Sequence, residues 1–133
     1  MKDISKYAEL VVVKRRSVYE TKLIRSQHKA MHILKKLHIN PKKYGCHHII
    51  PVSVGGTNDS ENIVIMERDQ HQILHDNYID PQLQGLEEGQ TRVILLPKNY
   101  DLHSVDFQLY DKLLADRVTK YFMTKFQEMQ RER

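Results

Sequence analysis

Cysteine is the scarcest chemistry in this chain: of 133 residues, Cys46 alone carries a thiol. One thiol closes no intramolecular disulfide and supplies no Cys-x-x-Cys zinc knuckle, so any metal must be held by histidine and carboxylate. Nowhere do 18 apolar residues follow one another, and the opening MKDISKYAEL holds no apolar run of signal-peptide length. The expectation from these absences is a cytoplasmic, intracellular protein without membrane contact. Internal repeats and low-complexity tracts are lacking too, and an apolar share of 40% beside a charged share of 29% is that of a folded globular chain. At 133 residues the chain supports one domain with a single modest core.

Acidic residues are sparse in the first third. Residues 1–46 hold 12 Lys and Arg against 3 Asp and Glu, whereas the remainder holds 9 against 14. The formal charge of +4 therefore conceals a basic front and an acidic back. A polyanion-binding face needs such a front, because Lys and Arg displace condensed counterions from nucleic acid; a solvated helical surface would carry the same charges. Lys35, Lys36, Lys42 and Lys43 precede the histidine-rich stretch and are the candidate phosphate contacts.

Ile4, Tyr7, Ala8 and Val11 have helical spacing and predict a short helix from Asp3, although residues 10–13 are also a β-branched run. Ser17 and Glu20 form a capping box that predicts a helix over 18–37, with Leu23, Ile24, Gln27, Met31, Leu34 and Leu37 on one face. His28 and His32 lie four apart on that helix, but no third histidine is at a readable distance, so both are read as solvent or packing residues. Asn40-Pro41 ends the helix.

What the chain has in plenty is histidine, and four of its eight fall within residues 46–75, CHHIIPVSVGGTNDSENIVIMERDQHQILH. Residues 47–52 read as a strand closed by Pro51, and Gly55-Gly56-Thr57-Asn58-Asp59 as a compact turn. A second strand at 63–66 leads into a helix with Glu67 and Asp69 at its start, ended by Asp80-Pro81 and Gly85. On that helix His71 and His75 project from one face, and His47 would add a third nitrogen to a metal site with open positions. His48, next along the strand, points the other way and stays free to take a proton from water. A Lewis acid on one side and a base on the other suit phosphodiester hydrolysis. A metalloprotease would need glutamate where the chain has Gln72. Cys46 reads as a small buried filler.

In these residues the stretch resembles the HNH endonucleases and their ββα-metal finger, with a spacing most like the colicin and pyocin type. The resemblance implies that His48 is the general base, that His47, His71 and His75 are the ligands of one divalent ion (Mg²⁺, Mn²⁺, Zn²⁺ or Ni²⁺), and that Asn62 bonds backbone across the loop and fixes the base-bearing strand. Pro51 and Gly55-Gly56 fit the family loop. The match covers about 30 residues of the 133, and it lacks the paired Cys-x-x-Cys knuckles that brace many family members. The implied activity is endonuclease cleavage of nucleic acid, double-stranded DNA foremost. A nuclease acting on RNA would use the same residues, and a non-catalytic nucleic-acid-binding protein would keep the finger as a zinc-stabilised scaffold.

Beyond the finger, residues 91–96 predict a strand stopped by Pro97. Ser104 can cap a long helix with Leu109, Leu113, Val118, Tyr121, Phe122, Phe126 and Met129 in one stripe, either packed on the core or forming a homodimer surface. The expected fold is α+β: a basic helical region over 1–45, the ββα-metal core over 46–80, and a strand with a C-terminal helix over 81–133, all in one domain. No separate recognition module is legible, so no target site is either.

Overall fold

The computed structural model describes residues 8–97, and the expected helix after Ser104, with its dimer surface, lies outside them. Among the described residues the architecture is α+β: two small antiparallel sheets of two strands each, with helices between and after them.

The first sheet pairs β1 (Ala8–Lys14) with β4 (Thr91–Pro97), in a register running from Ala8 opposite Pro97 to Lys14 opposite Thr91. Residues 8–11 are thus strand, not the end of a helix beginning at Asp3. Their local spacing is compatible with either form, and a partner far along the chain decides between them. Residues 93–97 are all buried, as an apolar strand without a polar face must be. The Gln82 side-chain amide also bonds β4, donating to the Leu95 carbonyl at 2.9 Å and accepting from the Leu95 N–H at 2.8 Å. The side chain stands in for a peptide group.

The single helix expected over 18–37 is two, α1 (Val18–Gln27) and α2 (Ala30–Lys36). Ser17 caps α1 through its side-chain oxygen, which accepts from the Glu20 N–H at 3.1 Å. The helix stops at His28, whose backbone is extended and whose N–H turns to the Arg25 carbonyl. That break dissolves the expected stripe. Leu34 is buried, but Leu23, Met31 and Leu37 are exposed, because a change of helix axis takes positions in phase along one helix out of phase along two. α2 closes on His38 in the left-handed region at φ 58°, a place where glycine is usual.

The second sheet is a hairpin of β2 (Tyr44–His48) and β3 (Ile63–Glu67), with His47 opposite Val64 and His48 opposite Ile63. β3 covers the expected residues; β2 begins earlier and ends earlier than 47–52. The chain bends after His48, and Pro51 opens a short 3-10 turn, Val52–Val54, so residues 49–52 leave the ladder. Helix α3 (Arg68–Leu74) follows β3 directly. It then widens into a π turn, His75–Ile79, and runs on through α4 (Asp80–Leu83). Asp80-Pro81 therefore does not end the helix. Pro81 sits at the first turn of α4, where its missing N–H costs no hydrogen bond, and the chain turns only near Gly85, at φ 78°.

One core joins the two sheets: Ala8, Val13 and residues 94–96 of the first pack with Met66, Leu74, Ile79 and Leu83 of the second and its helices. No helix among the described residues is long and apolar enough to cross a membrane.

Candidate metal centre

Strand alternation sends the two adjacent histidines of β2 to opposite sides. His47 is fully buried. It faces the helix, with ring centroids 5.0 Å from His71 and 5.4 Å from His75. His71 and His75, one helical turn apart, have centroids separated by 4.6 Å. One nitrogen from each of the three lies within 4.8 Å of the others, close enough to hold a metal ion. A tetrahedral ion with nitrogen bonds of about 2.0–2.1 Å holds its ligands about 3.3 Å apart, so binding one would draw these nitrogens inward from the 4.8 Å within which they lie.

Electrostatics prepares the same residues. Burial, then the neighbouring His71, His75 and His48, push the His47 pKa down to about 2. Burial, then His75, Arg68 and His48, push that of His71 down to about 4. Both rings are neutral across the physiological range and keep a lone pair to donate, as metal ligation requires. Asp80 lies beside the trio, its Oδ1 at 3.6 Å from His75 Nδ1. The Asp76 carboxylate accepts from the Gln72 amide at 2.8 Å.

On the far side of β2, His48 is half-buried against α1. Its Nε2 lies 2.9 Å from Asn58 Oδ1, and the Asn58 amide nitrogen donates to the Ile24 carbonyl at 2.8 Å. The edge of the His28 ring meets His48 with centroids 4.7 Å apart. Of the two histidines read as solvent or packing residues, His32 is exposed. His28 packs, and what it packs against is His48; burial, and secondly His48, lower its pKa.

The loop joining β2 to β3 is braced from two directions. Asn62 accepts from the Ile50 N–H at 2.9 Å and donates to the carbonyls of Ile50 at 3.0 Å and Thr57 at 2.9 Å. From outside, Arg16 donates to the carbonyls of Val52 at 3.0 Å and Gly56 at 2.8 Å. Gly56 permits the tight fold, because a Cβ there would fall 1.8 Å from the Ile50 carbonyl oxygen. Neither Asn58 nor Arg16 is singled out by the sequence. Asn58 reads only as turn chemistry, and Arg16 as one more charge in a basic segment.

Lys35, Lys36, Lys42 and Lys43 are all exposed, two at the end of α2 and two before β2. Arg68 joins that turn to α3: its backbone N–H bonds the Lys43 carbonyl at 2.9 Å and its Nε the Pro41 carbonyl at 2.7 Å. Cys46 is half-buried, not a fully buried filler, and burial raises its pKa. A thiol so shifted is a weaker nucleophile.

No protein-family model matches the chain, nor does any curated protein or solved structure.

Proposed function

We propose that β2, its loop, β3 and α3 form a ββα-metal finger of the HNH type, and that the protein is a metal-dependent endonuclease hydrolysing phosphodiester bonds in DNA. The observation that carries this reading is the division at β2: His47 converges with His71 and His75, while His48, one residue on, is held on the other side by Asn58. His47, His71 and His75 would hold one divalent ion. A ligand set of imidazoles suits Zn²⁺ or Ni²⁺ better than Mg²⁺, which prefers oxygen; Mn²⁺ lies between. When bound, the ion supplies Lewis-acid polarisation of a phosphoryl oxygen and offsets the charge of the leaving oxygen.

The chain's own residues supply the rest. His48 takes a proton from a water as the water oxygen forms its bond to phosphorus. The bond from phosphorus to the leaving oxygen breaks, that oxygen takes a proton from solvent, and His48 returns its proton to solvent. Asn62 fixes the loop behind His48 by bonding Ile50 on both its N–H and its carbonyl. Lys35, Lys36, Lys42 and Lys43 are the proposed contacts to flanking phosphates, which position the duplex without reading its sequence.

Parallel incubation of the full chain with plasmid, single-stranded DNA and RNA, with and without EDTA, tests the proposal. Metal-dependent cutting of plasmid that falls by about 10²- to 10⁴-fold in His48→Ala, with metal binding intact, is the expected result. Undiminished cutting by His48→Ala would remove its role. Cutting of RNA alone would reassign the substrate, and zinc binding without any cutting would leave a nucleic-acid-binding scaffold.

A further inference from the structure

The arrangement behind His48 decides which of its two ring nitrogens is free. α1 ends at His28, whose N–H bonds the Arg25 carbonyl, so the Ile24 carbonyl belongs to the last turn that lacks helical partners. Asn58 satisfies it, donating from Nδ2 at 2.8 Å. A carbonyl only accepts, and this settles which end of the Asn58 amide faces which way. Its oxygen must then be the atom that lies 2.9 Å from His48 Nε2. Because that oxygen carries no hydrogen, Nε2 has to carry one.

We infer that Asn58 is a positioning residue, locking His48 in the tautomer with its hydrogen on Nε2 and leaving the lone pair on Nδ1 to receive the proton of the attacking water. That Nδ1 acts as a base rests on the nuclease reading; the tautomer rests on the hydrogen bonds alone. The same bond serves the product of proton transfer. Once Nδ1 is protonated, Nε2–H becomes a charge-assisted donor to an acceptor already in place, so the imidazolium is held without rearrangement. α1 and the residue that ends it supply both supports, the Ile24 carbonyl that anchors Asn58 and the His28 ring whose edge lies against His48. The lowered pKa of His28 agrees with a neutral wall that does not repel the arriving proton.

Nitrogen-15 NMR of the imidazoles in the full chain separates this from a merely structural role. The parent is expected to show His48 hydrogenated at Nε2, with that proton exchanging slowly with water. Asn58→Leu removes the acceptor, and the Nε2 proton should broaden into solvent exchange while the backbone spectrum away from the loop is retained. Asn58→Asp keeps an acceptor oxygen for Nε2 but gives up the donor to the Ile24 carbonyl, so it should keep the signal while exchanging faster than the parent, which guards against a leucine variant that fails to fold. In cutting assays Asn58→Leu should lower kcat by about 10- to 100-fold with KM for plasmid unchanged, and Asn58→Asp should recover part of it. A hydrogen on Nδ1 in the parent, or an Nε2 proton just as protected in Asn58→Leu, overturns the inference. A chain with the expected spectrum that cuts no nucleic acid upholds the Asn58 bond and refutes the nuclease reading.

Discussion

Acid should unfold the metal-free protein through His47. Its pKa is about 2 in the folded chain against an ordinary 6.5, so between those values the unfolded chain binds a proton that the folded chain refuses. Stability is therefore full above 6.5 and falls with pH through that window, by about 1.4 kcal/mol per unit for one such group. Between about pH 7.5 and pH 5 the loss from His47 alone is about 2 kcal/mol. His71, at about 4 against 6.5, acts in the same direction. It is partly exposed, and solvent screening reduces its share to about 1 kcal/mol. A loss of about 3 kcal/mol is a large part of the 5–15 kcal/mol that holds a domain together. Urea unfolding in EDTA at the two pH values measures it, and the comparison is with His47→Asn, which removes the buried imidazole but keeps a polar side chain. The variant should be less stable at neutral pH and should lose about 2 kcal/mol less on acidification. An equal pH dependence in parent and variant would refute the reasoning, because the protons would then be binding elsewhere.

Gly56→Ala should cost more than about 3 kcal/mol, since its Cβ would meet backbone rather than a movable side chain; an unchanged urea midpoint would mean that the loop is free to shift. Asn62→Ala strips the Ile50 N–H and two carbonyls of their partner, and should cost about 2–3 kcal/mol while speeding hydrogen exchange at Ile50; exchange at the parent rate would contradict the brace. Reversing the charge of Lys35, Lys36, Lys42 and Lys43 together should flatten the slope of log affinity against log salt by about 0.9 for each phosphate no longer neutralised, and a slope equal to the parent's would place the duplex elsewhere. His38→Gly relieves a left-handed histidine and should stabilise the fold by up to about 1 kcal/mol in thermal unfolding, a gain that vanishes if this turn is already frayed.

The parts of the site that could be read from sequence are those whose geometry is local. Residues 71 and 75 meet because a helix brings together positions four apart, and 47 and 48 diverge because a strand alternates. Gly55-Gly56 announced a tight loop for the same reason: permitted backbone angles belong to the residue itself. What escaped was decided at a distance. β1 is a strand because β4 lies beside it, and nothing within residues 8–14 records that partner. Asn58 orients His48 through a carbonyl on α1, and α1 offers that carbonyl only because it breaks at His28, where the capping box and apolar spacing had predicted continuation. The helix running past Asp80-Pro81 is a related case, since a π turn resets the hydrogen-bond phase and lets proline begin a new segment. Beta periodicity placed β3 well and β2 poorly, because Ile49 and Ile50 have strand propensity yet serve the loop.

The pairing of β1 with β4 also closes a clasp around the site. Ala8 and Pro97 are register partners, so the two strands lie side by side while His47, His48, His71, His75 and the residues that support them all fall between Lys14 and Thr91. A substitution that loosens this pair thus reaches every residue of the site at once, through the core that the two sheets share.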